Sequence, residues 1–229
     1  MTFADKVLEF NASLSLANVK LPEGIRVMNP FRDGNSKLIQ RVTTEFYTKY
    51  YNDNRPRKII LGINPGRLGA GATGVPFSDT KRLKSECGIE IPEFSTHEPS
   101  SAFVYKVIHA YGGARKFYSE FYIGSLCPLG FVVKKEDEKE VNYNYYDNKK
   151  LQDLVTPFIV SSVINQIAFG IDIEKCICLG TGKNYKFMKT LNDRHGFFNK
   201  IVPVEHPRYV MQYKSKYLDE YVKKYLEAI

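Results

Sequence analysis

Short apolar runs separated by longer periodic segments dominate the pattern of this chain. Four runs rich in aliphatic residues predict strands at 57–63, 121–126, 175–179 and 201–204. The first run, RKIILGI, is almost continuously apolar, which is typical of a parallel strand covered on both faces. The pattern therefore predicts a sheet of four short strands.

Segments with a helical repeat of apolar residues lie before, between and after these strands. They predict helices at 2–16, 38–51, 100–111, 156–169, 183–191 and 215–226. Ser100 or Ser101 is the expected cap of the third helix. Thr156 and Pro157 are the expected cap and first residue of the fourth, with 151–155 as a preceding kinked turn.

Strands that alternate with helices are typical of α/β proteins, and no repeat or interdomain linker interrupts the alternation. We therefore predict a single three-layer α/β/α domain over residues 1–229, with a central, mostly parallel four-stranded sheet. Residues 1–55 are expected to form an N-terminal helical segment packed on it. The NPF and DGN stretches at 29–31 and 33–35 predict turns.

The composition narrows the class of protein. A hydrophobic content of 43% is ample for a packed core. No apolar run reaches the ~18 residues of a membrane span, and a signal-peptide pattern is absent, so a soluble, cytoplasmic protein is expected. Four cysteines without metal-ligand spacing predict buried thiols, with neither metal nor cofactor.

The charge of the chain indicates a class of partner. Lys and Arg outnumber Asp and Glu by 33 to 25, for a formal net charge of +8. A surplus of this size favours contact with a polyanion, although a basic surface without any partner is equally compatible with it. The mixed charge run at 134–140 predicts a solvated loop or helix face.

A glycine-rich stretch, GINPGRLGAGATGVPF at 62–77, contains a G-x-G-x-x-G but does not fit a dinucleotide site. In that fingerprint the glycines lead from the strand directly into a helix. Here Pro65 and Gly66 turn the chain before the first fingerprint glycine, and Pro76 prevents a helix from starting at the third. The ribose-binding acid about 20 residues on is missing, and no Gly-Lys-Ser/Thr of a P-loop follows.

Polar residues follow three of the predicted strands. Asn64 comes after the first strand, Ser125 ends the second, and His206 comes after the fourth. In an open parallel sheet, ligands bind beyond the carboxyl ends of the strands. Each residue alone could be part of a turn or a satisfied polar group, but together they predict a site. No nucleophile elbow accompanies them, which argues against a catalytic triad.

Three motifs, GINPGRLGAGATGVPFSD, SLCPLGF and EHPRY, resemble in order and spacing the uracil-DNA glycosylase superfamily. They are most similar to its single-strand-selective monofunctional branch. The resemblance covers about residues 20 to 217. It implies an enzyme that flips a damaged nucleotide out of DNA and hydrolyses its N-glycosidic bond, acting as a monomer with DNA as partner.

The resemblance also assigns roles to individual residues. It implies that Asn64 positions the attacking water, that His206 stabilises the departing base, and that Phe77 stacks on the flipped base. The other residues with implied contacts are Gly62, Ile63, Pro65, Gly66 and Ser125 for the substrate, and Arg67, Arg208, Tyr209, Val210 and Met211 for DNA, the last four in a loop that wedges into the duplex.

Ser125 departs from the pattern of the branch, which has an asparagine at this position. Serine is shorter than asparagine and its hydroxyl rotates, so we expect looser discrimination between bases, extending to xanthine or hypoxanthine, with weaker activity on uracil. The HPRY sequence also differs from the longer family motif. The alternative function is a catalytically silent DNA-binding relative, although retention of both Asn64 and His206 argues against it.

Overall fold

Four parallel strands form the centre of the protein in the computed structural model, which describes residues 1–135 and 138–229. The strands are β2 (Arg57–Gly62), β3 (Phe121–Ser125), β6 (Ile171–Leu179) and β7 (Lys200–Val204). They lie in the order β3-β2-β6-β7, and every neighbouring pair is parallel. The predicted α/β architecture with a four-stranded parallel sheet flanked by helices is confirmed.

The longer helices cover the sheet. They are α1 (Phe3–Ser13), α2 (Ser36–Tyr51), α5 (Pro99–Tyr111), α6 (Ala114–Glu120), α7 (Lys149–Ile167), α8 (Lys183–His195) and α10 (Leu218–Ala228). Shorter helical segments are α3 (Ala70–Thr73), α4 (Thr80–Arg82), α9 (Pro207–Tyr213), a π-helical turn at Leu83–Cys87 and a 3-10 turn at Ser215–Tyr217. Within the described ranges, no helix is long and apolar enough to span a bilayer.

A second, antiparallel sheet was not predicted. It consists of β1 (Ile25–Met28), β4 (Gly130–Lys134) and β5 (Glu140–Tyr143), with β4 in the middle. Its strands have four or five residues each, so their apolar runs are too short to be distinguished from loops. Two residues of the charge run at 134–140, namely 136 and 137, lie outside the described residues. At the two ends of the run, Lys134 belongs to β4 and Glu140 to β5.

Helix α7 begins earlier than predicted. Its cap is Asn148, whose side-chain oxygen accepts a hydrogen bond from the backbone of Leu151 at 3.0 Å. The Thr156 hydroxyl instead donates to the Gln152 carbonyl, and Pro157 lies inside the helix. The predicted start at Thr156 is wrong because burial of apolar residues on both sides of Pro157 outweighs the backbone hydrogen bond that the proline lacks.

The start of α5 is also displaced. Glu98 is the N-cap and Pro99 the first helical residue, whereas Ser100 and Ser101 lie buried in the first turn. The Ser101 hydroxyl donates to the buried Asp79 carboxylate at 2.8 Å. The expectation that a serine caps this helix is therefore wrong.

The beginning of β2 is anchored by a buried arginine. Arg57 has no exposed surface, and its guanidinium donates to Asp53 and to the Tyr118 carbonyl at 2.9 to 3.0 Å. Hydrogen bonds from Arg57 hold the pKa of Asp53 well below its usual range. The guanidinium also lies over the rings of Phe3 and Tyr51, in α1 and α2. The N-terminal helices are thus attached to the strand that leads into the glycine-rich stretch.

The four cysteines are buried free thiols, as predicted. Burial raises the pKa of Cys127 to about 12, so its thiol stays protonated at neutral pH. Among the described residues, no group of His, Cys, Asp and Glu is arranged to hold a metal ion.

Candidate active site

A cavity of about 360 Å³ lies beyond the carboxyl ends of β2, β3 and β7. The three strand ends therefore converge, and Asn64, Ser125 and His206 line the same space together with Phe77. Five further residues from the predicted set also line it: Ile63, Pro65, Gly66, Arg208 and Tyr209.

The Asn64 side chain is fixed by the backbone at the end of β5 and directly after it. Its Nδ2 donates to the Tyr143 carbonyl, and its Oδ1 accepts from the Tyr145 N–H, both at 3.2 Å. Tyr145 is fully buried, and its hydroxyl donates to Asn184 in α8 at 2.7 Å. These contacts determine which end of the amide is oxygen, and they leave one lone pair of Oδ1 for another donor.

His206 is the N-cap of α9. Its Nδ1 accepts a hydrogen bond from the Arg208 N–H at 3.1 Å, so in the neutral ring the proton is on Nε2. Burial, with a further contribution from the Arg208 charge, lowers the pKa of His206 to about 4. At neutral pH the ring is therefore an uncharged donor at Nε2.

Phe77 lies against His206 at the cavity wall. Their ring centroids are 5.8 Å apart and the planes are inclined at 49°. Phe77 adopts a φ of +51°, which is uncommon for a side chain of this size. Gly62 is buried behind the ring and does not line the cavity: a Cβ there would lie 3.2 Å from Phe77 Cε2. Gly62 thus makes room for Phe77, while its expected direct contact with the substrate stays a prediction.

Ser125 lies at the end of β3 with 9% of its surface exposed. Gln166 of α7 donates from Nε2 to the Ser125 carbonyl at 3.2 Å, which fixes the main chain at this point. Gln166 lies over Gly124, where a Cβ would be 2.2 Å from its Oε1. The Ser125 hydroxyl itself makes no hydrogen bond with any described residue, so it is free to turn toward a ligand.

The segment expected to be a wedge loop is the helix α9, which packs on α5. Val210 is fully buried between these helices, and its expected contact with DNA is wrong because it cannot reach the surface while α9 is folded. Arg208 and Tyr209 are exposed, and Tyr209 contacts the ring of Tyr213 with centroids 5.3 Å apart. Proline at the first helical position after a histidine cap favours this helix.

A groove of about 500 Å³ adjoins the cavity. Arg67 and Met211 line this groove rather than the cavity, whereas Arg208 lines both. The backbone of Arg67 donates to the Asn142 side-chain oxygen at 2.9 Å, which connects the glycine-rich stretch to β5. The predicted DNA-contacting residues other than Val210 thus line the cavity or the adjoining groove.

Several lining residues were not predicted. They are Ala70, Pro76, Glu98, Ser100, Asn142, Asn144, Tyr146, Gln212 and Tyr213. Most belong to β5, the turn after it and the start of α5, which are remote in sequence from the motifs. Ala70 and Pro76 lie within the glycine-rich stretch at 62–77, and Glu98 directly precedes the proline that begins α5, so these three carried a local signal.

Comparisons with known proteins agree with this geometry. A model of the uracil DNA glycosylase superfamily matches residues 48–229. The chain is 51% identical to the one in the crystal structure of wild-type SMUG2 from Pedobacter heparinus; the two superimpose with a TM-score of 0.96, and the match covers 100% of this chain and 97% of that one. No curated protein matches the chain. The extent of both similarities, over the segments that build the cavity, shows that the chain belongs to the uracil DNA glycosylase superfamily.

Proposed function

We propose that this protein is a monofunctional DNA glycosylase that hydrolyses the N-glycosidic bond of uracil or another deaminated base. The observation that carries the proposal is the convergence of Asn64, His206 and Phe77 on one cavity. Membership of the superfamily supports a glycosylase acting on DNA. A cavity of about 360 Å³ is within the range of small-molecule sites and open to the surface where DNA would approach.

The substrate enters by base flipping, because the glycosidic bond is inaccessible inside a duplex. In the cavity the extruded base stacks on Phe77. The ring of Phe77 fits in this position because Gly62 has no side chain. Arg67 and Arg208, which line the adjoining groove, bind the flanking phosphates. The net charge of +8 favours this approach.

Cleavage places positive charge on the sugar and negative charge on the departing base. His206 donates a hydrogen bond from Nε2 to the base oxygen that gains charge. Its pKa of about 4 keeps the ring neutral, so that it donates a hydrogen bond without transferring a proton. The remaining lone pair of Asn64 Oδ1 orients the water that adds to C1′. An amide is a weak base, so in this mechanism bond breaking runs ahead of water attack.

The proposal is tested with oligonucleotides that carry uracil, xanthine or hypoxanthine in single- and double-stranded form. The enzyme should produce alkali-labile abasic sites on at least one of them. The same protein with Asn64→Ala and His206→Ala combined should not. Specific DNA binding without abasic sites on any lesion would instead identify the protein as a catalytically silent relative.

Ser125→Asn should shift the preference toward uracil. An asparagine offers a donor and an acceptor in fixed orientation, whereas the free Ser125 hydroxyl rotates to suit several bases. We expect the ratio of single-turnover rates, uracil over xanthine, to rise by about 10-fold, since one good hydrogen bond contributes ~1 kcal/mol or more to discrimination.

The matched control for this change is Ser100→Asn, at another serine that lines the cavity, which should reduce all rates without favouring uracil. A strict uracil preference in the unmodified enzyme, left unimproved by Ser125→Asn, would contradict the proposed role of Ser125.

A further inference from the structure

Glu98 is a carboxyl group in the cavity that the mechanism above does not use. It is the N-cap of α5, yet its side chain accepts no hydrogen bond from the helix. Among the described residues it forms neither a side-chain hydrogen bond nor an ion pair. Instead it lines both the cavity, with Asn64 and Gly66, and the adjoining groove. A carboxylate without a protein partner that faces a cavity is available to a ligand.

The glycine-rich stretch leaves space for this side chain. A Cβ at Gly69 would lie 2.1 Å from Glu98 Oε2, and one at Gly66 would lie 3.4 Å from Oε1. Any other residue at position 69 would displace the carboxyl group. Gly66 is two residues beyond Asn64. A Cβ at Gly66 would also lie 3.3 Å from Asn142 Nδ2 in β5. The last residue of β5, Tyr143, accepts a hydrogen bond from the Asn64 amide. Glu98 therefore lies on the Asn64 side of the cavity.

The surroundings of Glu98 contain charges of both signs. Asp79 accepts hydrogen bonds from the Glu98 N–H and from Ser101. Arg208 faces Glu98 from α9. The other titratable groups that line the cavity or the groove are Arg67, Tyr146, His206, Tyr209 and Tyr213. Arg82 and His97 contact the Asp79 carboxylate. Burial, reinforced by the Asp79 carboxylate and opposed by Arg208, raises the pKa of Glu98 to about 7.

We propose that Glu98 is a further catalytic residue, whose ionised carboxylate accepts a proton from the water that Asn64 orients. This inference rests on the glycosylase function proposed above. As the bond between C1′ and the base breaks, its electron pair leaves with the base. A lone pair of the water oxygen forms the new bond to C1′, and the proton released from that water moves to Glu98. The weakly basic amide orients the water, and the carboxylate supplies the missing base.

The test combines reaction rate with stability in Glu98→Gln, a change that preserves the size of the side chain. Single-turnover rates on the best substrate are measured from pH 5.5 to 8.5. In the unmodified enzyme the rate should fall as the pH is lowered through about 7, because Glu98 becomes protonated. In Glu98→Gln the rate at pH 8 should be about 100-fold lower, within the usual range for a lost general base, and it should no longer depend on pH in this window.

Stability gives a readout that does not depend on activity. A carboxyl with a pKa raised from 4.5 to about 7 by folding weakens the folded state as pH rises through this interval, because the unfolded chain releases the proton first. Glu98→Gln should therefore raise the Tm at pH 8 by on the order of 3 °C, with little change at pH 5. A purely structural carboxylate would give a lower Tm when replaced.

The exposed Glu93→Gln is the matched control and should change neither readout. Glu98→Gln with an unchanged rate, or with a slower rate that still falls near pH 7, would overturn the inference while leaving the proposed function intact. Absence of activity in the unmodified enzyme on every lesion would overturn both. A Tm at pH 8 that decreases in Glu98→Gln would also count against the catalytic role.

Discussion

Replacing His206 with alanine is expected to slow base release by about 10²- to 10³-fold in single-turnover assays. The neutral ring presents an Nε2 donor toward the cavity because the Arg208 N–H occupies Nδ1. Among the described residues that line the cavity, His206 has the only imidazole, so in the alanine variant the negative charge on the departing base loses its donor. DNA binding, measured with an oligonucleotide that carries a stable abasic analogue, should change little because the loss acts on the transition state.

The control for this prediction is His109→Ala, which removes an exposed histidine at the end of α5. It should have the rate of the unmodified enzyme. A His206→Ala rate within a few fold of that control would show that the base leaves without help from the imidazole.

The lowered pKa of His206 also has a thermodynamic consequence. The folded protein binds this proton only near pH 4, whereas the unfolded chain binds it near pH 6.5. The contribution of His206 to the free energy of unfolding is therefore fully present above pH 6.5, and it is lost as the pH falls from 6.5 toward 4. His206→Ala should remove that part of the decline in Tm on acidification.

Asn64→Ala is expected to lower the single-turnover rate by about 100-fold, because the water would no longer be held in line with C1′. The amide has both ends hydrogen-bonded to the backbone at Tyr143 and Tyr145. Its orientation is thus set before the substrate arrives, and no reorganisation is needed during the reaction. Binding of the abasic analogue should again be preserved.

Two variants separate this role from a structural one. Tyr145→Phe keeps the backbone N–H to Asn64 but removes the hydroxyl that donates to Asn184, so we expect less than a 10-fold loss of rate together with reduced stability. Asn18→Ala, at an exposed asparagine, should have no effect. If Asn64→Ala lost no more rate than Tyr145→Phe, the assignment of the water site to Asn64 would be wrong.

Part of the site was predictable because it depends on strand ends. A buried parallel strand is encoded by a short local run, and its carboxyl end is the point where polar residues begin. Asn64, Ser125 and His206 were identified in this way, and their convergence follows from the strands being parallel. Val210 was misassigned because its burial depends on the packing of α9 against α5, which a local sequence pattern does not reveal.

The unpredicted half of the cavity comes from elements with weak local signals. Strand β5 exists through its pairing with β4, which is itself only five residues long. Helix α7 continues through Pro157, against the local preference, because its apolar residues are buried on either side. In both cases long-range packing outweighs what a short window of sequence favours.

By itself, the sequence determined the α/β class, the four parallel strands and the residues that follow their ends, since periodicity and turn chemistry act over a few neighbouring residues. Only the tertiary structure decided that the backbone at 143–145 orients Asn64 and that Gly69 leaves room for Glu98. These two features join segments up to 81 positions apart in sequence, and a local pattern carries no information about which distant groups will meet in the folded protein.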